Sequence, residues 1–290
     1  MIDLHTHTNF SDGMQTLEQL LNKAENSKLK YLSITDHDSI DSYLELKKSK
    51  NDIFNGELIT GTELHFLQDE MYNELLGYKF NVDKISKSFM FDKAKKQEQQ
   101  LEFLYELYPK LIKKGFKLLS MDEYIEKILS TTTFAVTECG STIFNDENKE
   151  IREKHGIFTN SDYKAKWIHN KDSDMYVNVL KYYPNMKIVS DTIRDAGGLV
   201  FMAHVFRNEG RNAKNDGKYL LDYAVKNKLI DGVEVYYKNH TKEQVNYLLD
   251  FCNEHSLYIC GGTDSHILQE ELGIIDTGII PVNIIDNWIN

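Results

Sequence analysis

Cysteine, arginine and long apolar runs are all scarce in this chain, and each shortage removes a class of answer. Cys139, Cys252 and Cys260 are odd in number and form no CxxC spacing. That argues against a disulfide framework and leaves them as small buried apolar side chains. No apolar run approaches the ~20 residues that a membrane span requires. The opening Met-Ile-Asp-Leu-His lacks the basic and apolar regions of a secretory signal, so the expected location is the cytoplasm. Of 34 cationic residues only Arg152, Arg194, Arg207 and Arg211 are arginine, which draws attention to any arginine beside a binding site. The formal net charge of −11 opposes affinity for a polyanion such as duplex DNA, whereas a small phosphorylated substrate held by bound metal remains compatible.

What is present is ordinary for a globular protein: 41% hydrophobic and 27% charged residues over a length of 290, enough for one main domain with an insertion. The N-terminal third alternates short apolar runs over 2–7, 30–36 and 57–63 with helical patterns. The C-terminal third repeats the alternation, with strands over 198–204, 232–237 and 257–264. Such alternation marks βα units of one parallel barrel. Residues 82–187 differ. They carry a Lys/Glu/Gln-rich helical pattern over 84–114, read as a solvated face, then a shorter helix over 121–129 and a polar stretch without period. The expected division is a barrel of 1–81 with 188–290 and a mostly helical insertion of 82–187 over one end of it.

Histidines and carboxylates recur where the strands should end. His5 and His7 lie two apart on the first strand, so their side chains project to one face and can grip one ion together. Asp12 follows in a Ser-Asp-Gly turn, and His37, Glu63, His204, Asp264 and His266 end later strands. In parallel barrels those ends face the loops that build the active site, so distant residues converge there. Mixed nitrogen and oxygen donors without thiolates suit borderline divalent metals rather than a structural cysteine-zinc site. Asp3 and Asp36, beside these residues, either orient imidazoles or cap strand ends and form turns.

The motifs His5-Thr6-His7, Ser11-Asp12-Gly13, Thr35-Asp36-His37-Asp38, Gly61-Thr62-Glu63, Ala203-His204 and Gly262-Thr263-Asp264-Ser265-His266 resemble, in order, those of the PHP (polymerase and histidinol phosphatase) superfamily. The resemblance is closest to stand-alone bacterial PHP phosphoesterases that act on nucleotides. It implies an α/β fold, a distorted (β/α)7 PHP-type barrel with a helical insertion, and two or three Mn²⁺, Zn²⁺ or Fe ions. Carried over by motif, His5, His7, Glu63 and Asp264 hold one ion, with Glu63 bridging to a second. Asp12, His37 and His266 hold another, together with His204.

Two positions depart from the pattern. Where the family usually has a histidine before its Leu-Gly-Tyr strand, this chain has Glu74; where an Arg-Pro-His segment is usual in the insertion, the chain reads Thr131-Thr132-Thr133-Phe134-Ala135. A Glu74 carboxylate can still bind Mn²⁺ or Fe, but threonine is a poor replacement. The second ion is therefore expected to be weak, differently ligated or absent, unless His155 or His169 substitutes.

Ions held close together lower the pKa of a bound water and offset phosphoryl charge. The expected chemistry is phosphate ester hydrolysis by metal-activated hydroxide, with His204 or His240 assisting the leaving group. The resemblance places Arg207 to hold a nonbridging phosphate oxygen and His240 to contact substrate. Tyr236 or Tyr237 either stacks on a base or packs. The leading expectation is a phosphoesterase for a nucleotide or short oligonucleotide. A histidinol-phosphate or sugar-phosphate monoesterase and a noncatalytic metal- or ligand-binding regulatory protein are the alternatives.

Overall fold

The computed structural model describes residues 1–49, 52–130, 134–208 and 216–289, so Thr131 to Thr133 lie outside the described residues. The chain forms two compact units, Met1–Phe91 with Tyr183–Asn290, and Asp92–Tyr182. In the first, β1 (Ile2–Asp3), β2 (Tyr31–Ile34), β3 (Glu57–Gln68), β4 (Met71–Tyr78), β5 (Leu199–Met202), β6 (Gly232–Tyr237) and β7 (Tyr258–Gly262) form one sheet ordered along the chain. Its last strand returns to its first: Leu4 N donates to Gly261 O at 3.1 Å, Asp264 N to His5 O at 2.8 Å and His7 N to Ser265 O at 2.9 Å. The result is a distorted (β/α)7 barrel.

The distortion lies in one strand that departs from the parallel order. β4 runs antiparallel to both β3 and β5, while the remaining neighbours are parallel. The cause is local. Asp69 and Glu70 both take positive φ, 51° and 64°, the conformation of a two-residue turn whose twist matches a hairpin. A hairpin can only return its strand antiparallel. β4 therefore contributes its first half, not its end, to the rim where the other strands finish, and Glu74 pairs with His65 across the hairpin.

Helices cover the strands because their ends are capped and one stripe is apolar. Thr16 and Gln19 form a reciprocal capping box for the helix Leu17–Asn26, which buries Leu20, Leu21 and Ala24; Thr241 and Gln244 do the same for Lys242–His255, which buries Val245, Leu248 and Phe251. Each fully buried side chain of this size contributes roughly 1.5–3 kcal/mol. Inside, Ile2, Leu4, Leu76, Tyr78, Phe201 and Trp288 share one cluster, and Tyr78 donates to Leu4 O at 2.7 Å. All three cysteines are free and buried.

The second unit has its own core, built on Phe103, Leu104, Leu107 and Leu111 of the helix Lys93–Lys114 with Tyr124 and Ile128 of Met121–Ser130. The expected single helix over 84–114 is broken. A short helix Val82–Ile85 and a 3₁₀ turn Phe89–Phe91 come first. Asp92 then restarts the chain as an N-cap, its side chain accepting from Lys95 N at 3.2 Å. Val82 and Ile85 bury with Leu20, Leu21 and Phe80 of the barrel unit, and Met186 and Val189 bury with Leu64 and Val200. The unit boundaries accordingly fall at 91/92 and 182/183 rather than 81/82 and 187/188. Among the described residues no helix is long and apolar enough to cross a membrane.

The β7–β1 closure leaves no room for a side chain at Gly262. A Cβ there would lie 2.2 Å from His5 Cβ, 2.4 Å from His5 N and 2.7 Å from His5 Cα, so backbone would have to move. Gly262→Ala is expected to destabilise the chain by about 1–3 kcal/mol in urea denaturation; an unchanged midpoint and slope would refute this account of the closure.

Candidate metal centre

Each strand end delivers its polar residues for a stated reason. His5 and His7 extend from β1 on one face, His37 follows β2, Glu63 lies within β3, His204 follows β5, and Asp264 and His266 follow β7. The turn that carries Asp12 is drawn back to β7, Met14 N donating to His266 O at 2.7 Å. Asp264 itself has φ 50°, a left-handed backbone that turns the chain sharply at the end of β7.

Four sets of donor atoms converge, each within 4.8 Å internally: His5, His7, Glu63 and Asp264; His7, Asp12, His37 and His266; Glu63, Glu74 and His204; and His5, His204 and Glu234. In the first, Glu63 Oε2 lies 3.1 Å from His5 Nε2 and 3.3 Å from His7 Nε2, and His7 Nε2 is 3.1 Å from Asp264 Oδ1. In the second, Asp12 Oδ1 lies 3.2 Å from His266 Nε2 and 3.8 Å from His37 Nε2. In the third, Glu63 Oε1 meets His204 Nε2 at 2.8 Å, and Glu74 Oε2 is 3.9 Å from His204 Nδ1. His204 thus joins Glu63 and Glu74, not Asp12, His37 and His266 as expected. The antiparallel course of β4 explains this, since it brings Glu74 beside the end of β5.

Many of these buried atoms face one another without hydrogen-bond geometry. His5 Nε2, both nitrogens of His7, His37 Nδ1, Glu63 Oε2, Glu74 Oε2, His204 Nδ1 and Asp264 Oδ1 have no hydrogen-bond partner. Orphaned buried polar atoms are costly, and here they are the atoms that converge, a donor set of imidazoles and carboxylates suited to divalent cations. The residues present therefore fit the ions that the resemblance implies.

The facing charges shift the proton affinity of these groups. Burial opposes a proton on His5, but Glu234, Glu63 and Asp264 outweigh it and raise its pKa well above the usual value. Against the same burial, Asp264 and Glu63 push His7 up to about 10. For His37 burial prevails and lowers it to about 4. Burial would raise the carboxyls of Asp12, Glu63 and Asp264, yet the facing imidazoles hold all of them below the usual carboxylate range.

Arg207 lies at the same place, its Nη1 3.7 Å from Asp264 Oδ2 and 3.2 Å from His204 Nε2. His240 is 3% exposed, its Nδ1 bonded to Val235 O at 3.0 Å and its ring against Phe206 and Tyr237. It joins none of the donor sets. Tyr237 is buried and donates to Asp264 Oδ2 at 3.2 Å, while Tyr236 packs on the core. Asp36 accepts from Thr8 N and Oγ1 and from Ser11 Oγ, and Asp3 from the backbone N–H groups of Thr263 and Gly273. Both bind loop backbone and hydroxyls, which is turn formation. His155 packs on Phe116 and Trp167 within the second unit, and His169 is exposed there.

Two residues escaped the sequence reading. His65 stacks on His37 with ring centroids 4.8 Å apart. Its Nδ1 is 2.7 Å from Asp38 Oδ2, and its Nε2 is 3.5 Å from Glu74 Oε1. Burial notwithstanding, Asp38 raises it to about 9. Strand alternation from Glu63 could have found it. Glu234, wholly buried, meets His5 Nδ1 and His204 N, both at 2.8 Å; a lone carboxylate inside Val233-Glu234-Val235 was its signal.

Comparison with known proteins places this geometry. The chain is 23% identical over 291 residues to a 5′-3′ exoribonuclease of Haemophilus influenzae, covering 97% of each chain. A candidate metal-dependent phosphoesterase from Bifidobacterium adolescentis shares the fold with a TM-score of 0.75 at 22% identity, over 99% of this chain and 94% of that one. An amidohydrolase from Chromobacterium violaceum, determined with bound sulfate and no metal, shares it with a TM-score of 0.69 at 18% identity, over 94% and 89%. The PHP domain profile matches residues 3–156, just over half of the chain and including His5, His7, Asp12, His37 and Glu63, so the chain belongs to the PHP domain family.

Proposed function

We propose that this protein is a metal-dependent phosphoesterase acting on a small phosphorylated substrate, a nucleotide or short oligonucleotide. The observation that carries the reading is the convergence of buried, unpartnered donor atoms from six strands beside one arginine. His5, His7, Glu63 and Asp264 would hold one ion, Asp12, His37 and His266 a second, and Glu63, Glu74 and His204 a third. Bound Mn²⁺, Zn²⁺ or Fe would acidify a water and offset phosphoryl charge.

The chain's own residues divide the remaining work. Glu63 presents one oxygen to His204 and the other to His5, His7 and His37, which keeps the ion positions close together. Arg207 stays charged, because Asp264 and Glu74 outweigh the burial that opposes its charge, and it suits a nonbridging phosphate oxygen. Tyr237 fixes Asp264 from behind. His204 has two roles open to it: donor to the ion position with Glu63 and Glu74, or proton donor to the leaving oxygen where that position holds no ion. His240, buried under Phe206 and Tyr237, is placed to support this wall and not to meet substrate first. The named activity of the Haemophilus relative supports a nucleotide or oligonucleotide over a sugar phosphate.

The deciding experiment is phosphate release across nucleotides, bisphosphates, short oligonucleotides and histidinol phosphate with Mn²⁺ added. A responsive nucleotide or oligonucleotide is expected, and His7→Ala or Asp264→Ala should abolish its turnover in a folded barrel; inactivity on every class moves weight to a regulatory role. Metal analysis of Glu74→Ala should find fewer ions per chain than in the parent, and equal occupancy would remove Glu74 from the ligands. Because His7 with a pKa near 10 is protonated at neutral pH and ligation needs it neutral, Mn²⁺ added to metal-free protein at pH 7.5 should release roughly one or two protons per chain. A binding enthalpy that does not vary with the buffer's ionisation enthalpy would contradict this.

A further inference from the structure

We propose that Glu234 is a positioning residue: it commits His5 to ion binding through Nε2 and holds the His204 backbone in step with it. The inference rests on the donor sets being ion positions and not on which phosphate ester is hydrolysed.

A carboxylate with no exposed surface is tolerated only where donors compensate it, and Glu234 finds them on two other strands. One oxygen meets His5 Nδ1 beyond β1 and the other accepts from His204 N beyond β5, each at 2.8 Å. Both oxygens are thereby committed. With a carboxylate at Nδ1, that nitrogen carries the hydrogen, and the lone pair belongs to Nε2. His5 Nε2 is the nitrogen that lies 3.1 Å from Glu63 Oε2 and 3.6 Å from Asp264 Oδ1, buried and without a hydrogen-bond partner. A carboxylate behind an imidazole also makes the opposite nitrogen a stronger donor.

The backbone of β6 is adapted to this arrangement. Simple alternation would place Glu234 and Tyr237 on opposite faces. The register against β7 shifts between Glu234 and Tyr236, a bulge that re-aims the strand. Glu234 therefore reaches His5, and Tyr237 still reaches Asp264 Oδ2. Three donors of the centre, His5, His204 and Asp264, are steadied from this one strand. The rings of His5 and His204 stack at 5.4 Å with an interplanar angle of 26°, so a shift of either would be felt by the other. Although Glu234 lies close enough to His5 and His204 to share an ion with them, that role would require releasing the Nδ1 contact or a backbone N–H that has no other outlet.

Two readouts test the proposal, neither of which uses a phosphate ester, so failure of the substrate screen leaves them valid. In ¹⁵N-histidine-labelled full-length protein loaded with Zn²⁺, long-range ¹H–¹⁵N spectra should find His5 protonated at Nδ1 and bound to the ion through Nε2. Binding through Nδ1 overturns the proposal, and this measurement needs no variant to fold. In Glu234→Gln one amide oxygen cannot accept from both donors. Its Zn²⁺ dissociation constants, measured by chelator competition, should rise about 10–100-fold with the number of ions at saturation unchanged. Unaltered affinity would reduce Glu234 to packing, and one ion fewer at saturation would make it a ligand; either result overturns the proposal.

Discussion

The centre turns on one carboxylate. Glu63, wholly buried on β3, is within 3.3 Å of nitrogens of His5, His7, His37 and His204. Those histidines come from beyond three other strands. A buried carboxylate is tolerated only when its partners are held around it, so the strand ends must arrive together for Glu63 to be accommodated at all. The barrel closure at Gly262 and His5, the hairpin at Asp69 and Glu70, and the bulge in β6 all serve that requirement. Removing any one of them would leave a charge in the interior without its counterpart.

This places opposing demands on the same residues. Glu63 and Asp264 favour protons on His5 and His7, while burial disfavours one on His37. Were cations bound as proposed, those protons would leave and the same carboxylates would serve as ligands. The cluster would then have two ways of satisfying its charge. What differs is which buried atoms remain without a partner.

Much of this was legible in the sequence, and the unread portion has identifiable causes. His5, His7, Asp12, His37, Glu63, Asp264 and His266 stand in short motifs at strand ends, where alternation and barrel geometry bring them to one rim. The grouping of His204 could not be read, because it depends on the direction of β4, and that direction is set by two positive φ angles at Asp69 and Glu70. His65 lies just past the Gly61-Thr62-Glu63 motif and Glu234 is a lone carboxylate in an apolar strand, so neither stands in a motif of its own. Their partners, Asp38 and His204, are distant in sequence or on another strand. The break between Ile85 and Lys93 was masked by a helix-favouring composition, and the cap at Asp92 outweighs that preference. For Asp3 and Asp36 the sequence left imidazole orientation and turn formation open, and the nearby loop N–H groups and hydroxyls decide for turn formation.

The hairpin of β3 and β4 ties two polar residues of the rim to one register. His65 and Glu74 are direct cross-strand partners, with side chains on one face and Cβ atoms at about 5 Å. The pair thus acts as a lever on one corner of the rim: exchanging either residue alters the donors there while register, core and turn stay as they are.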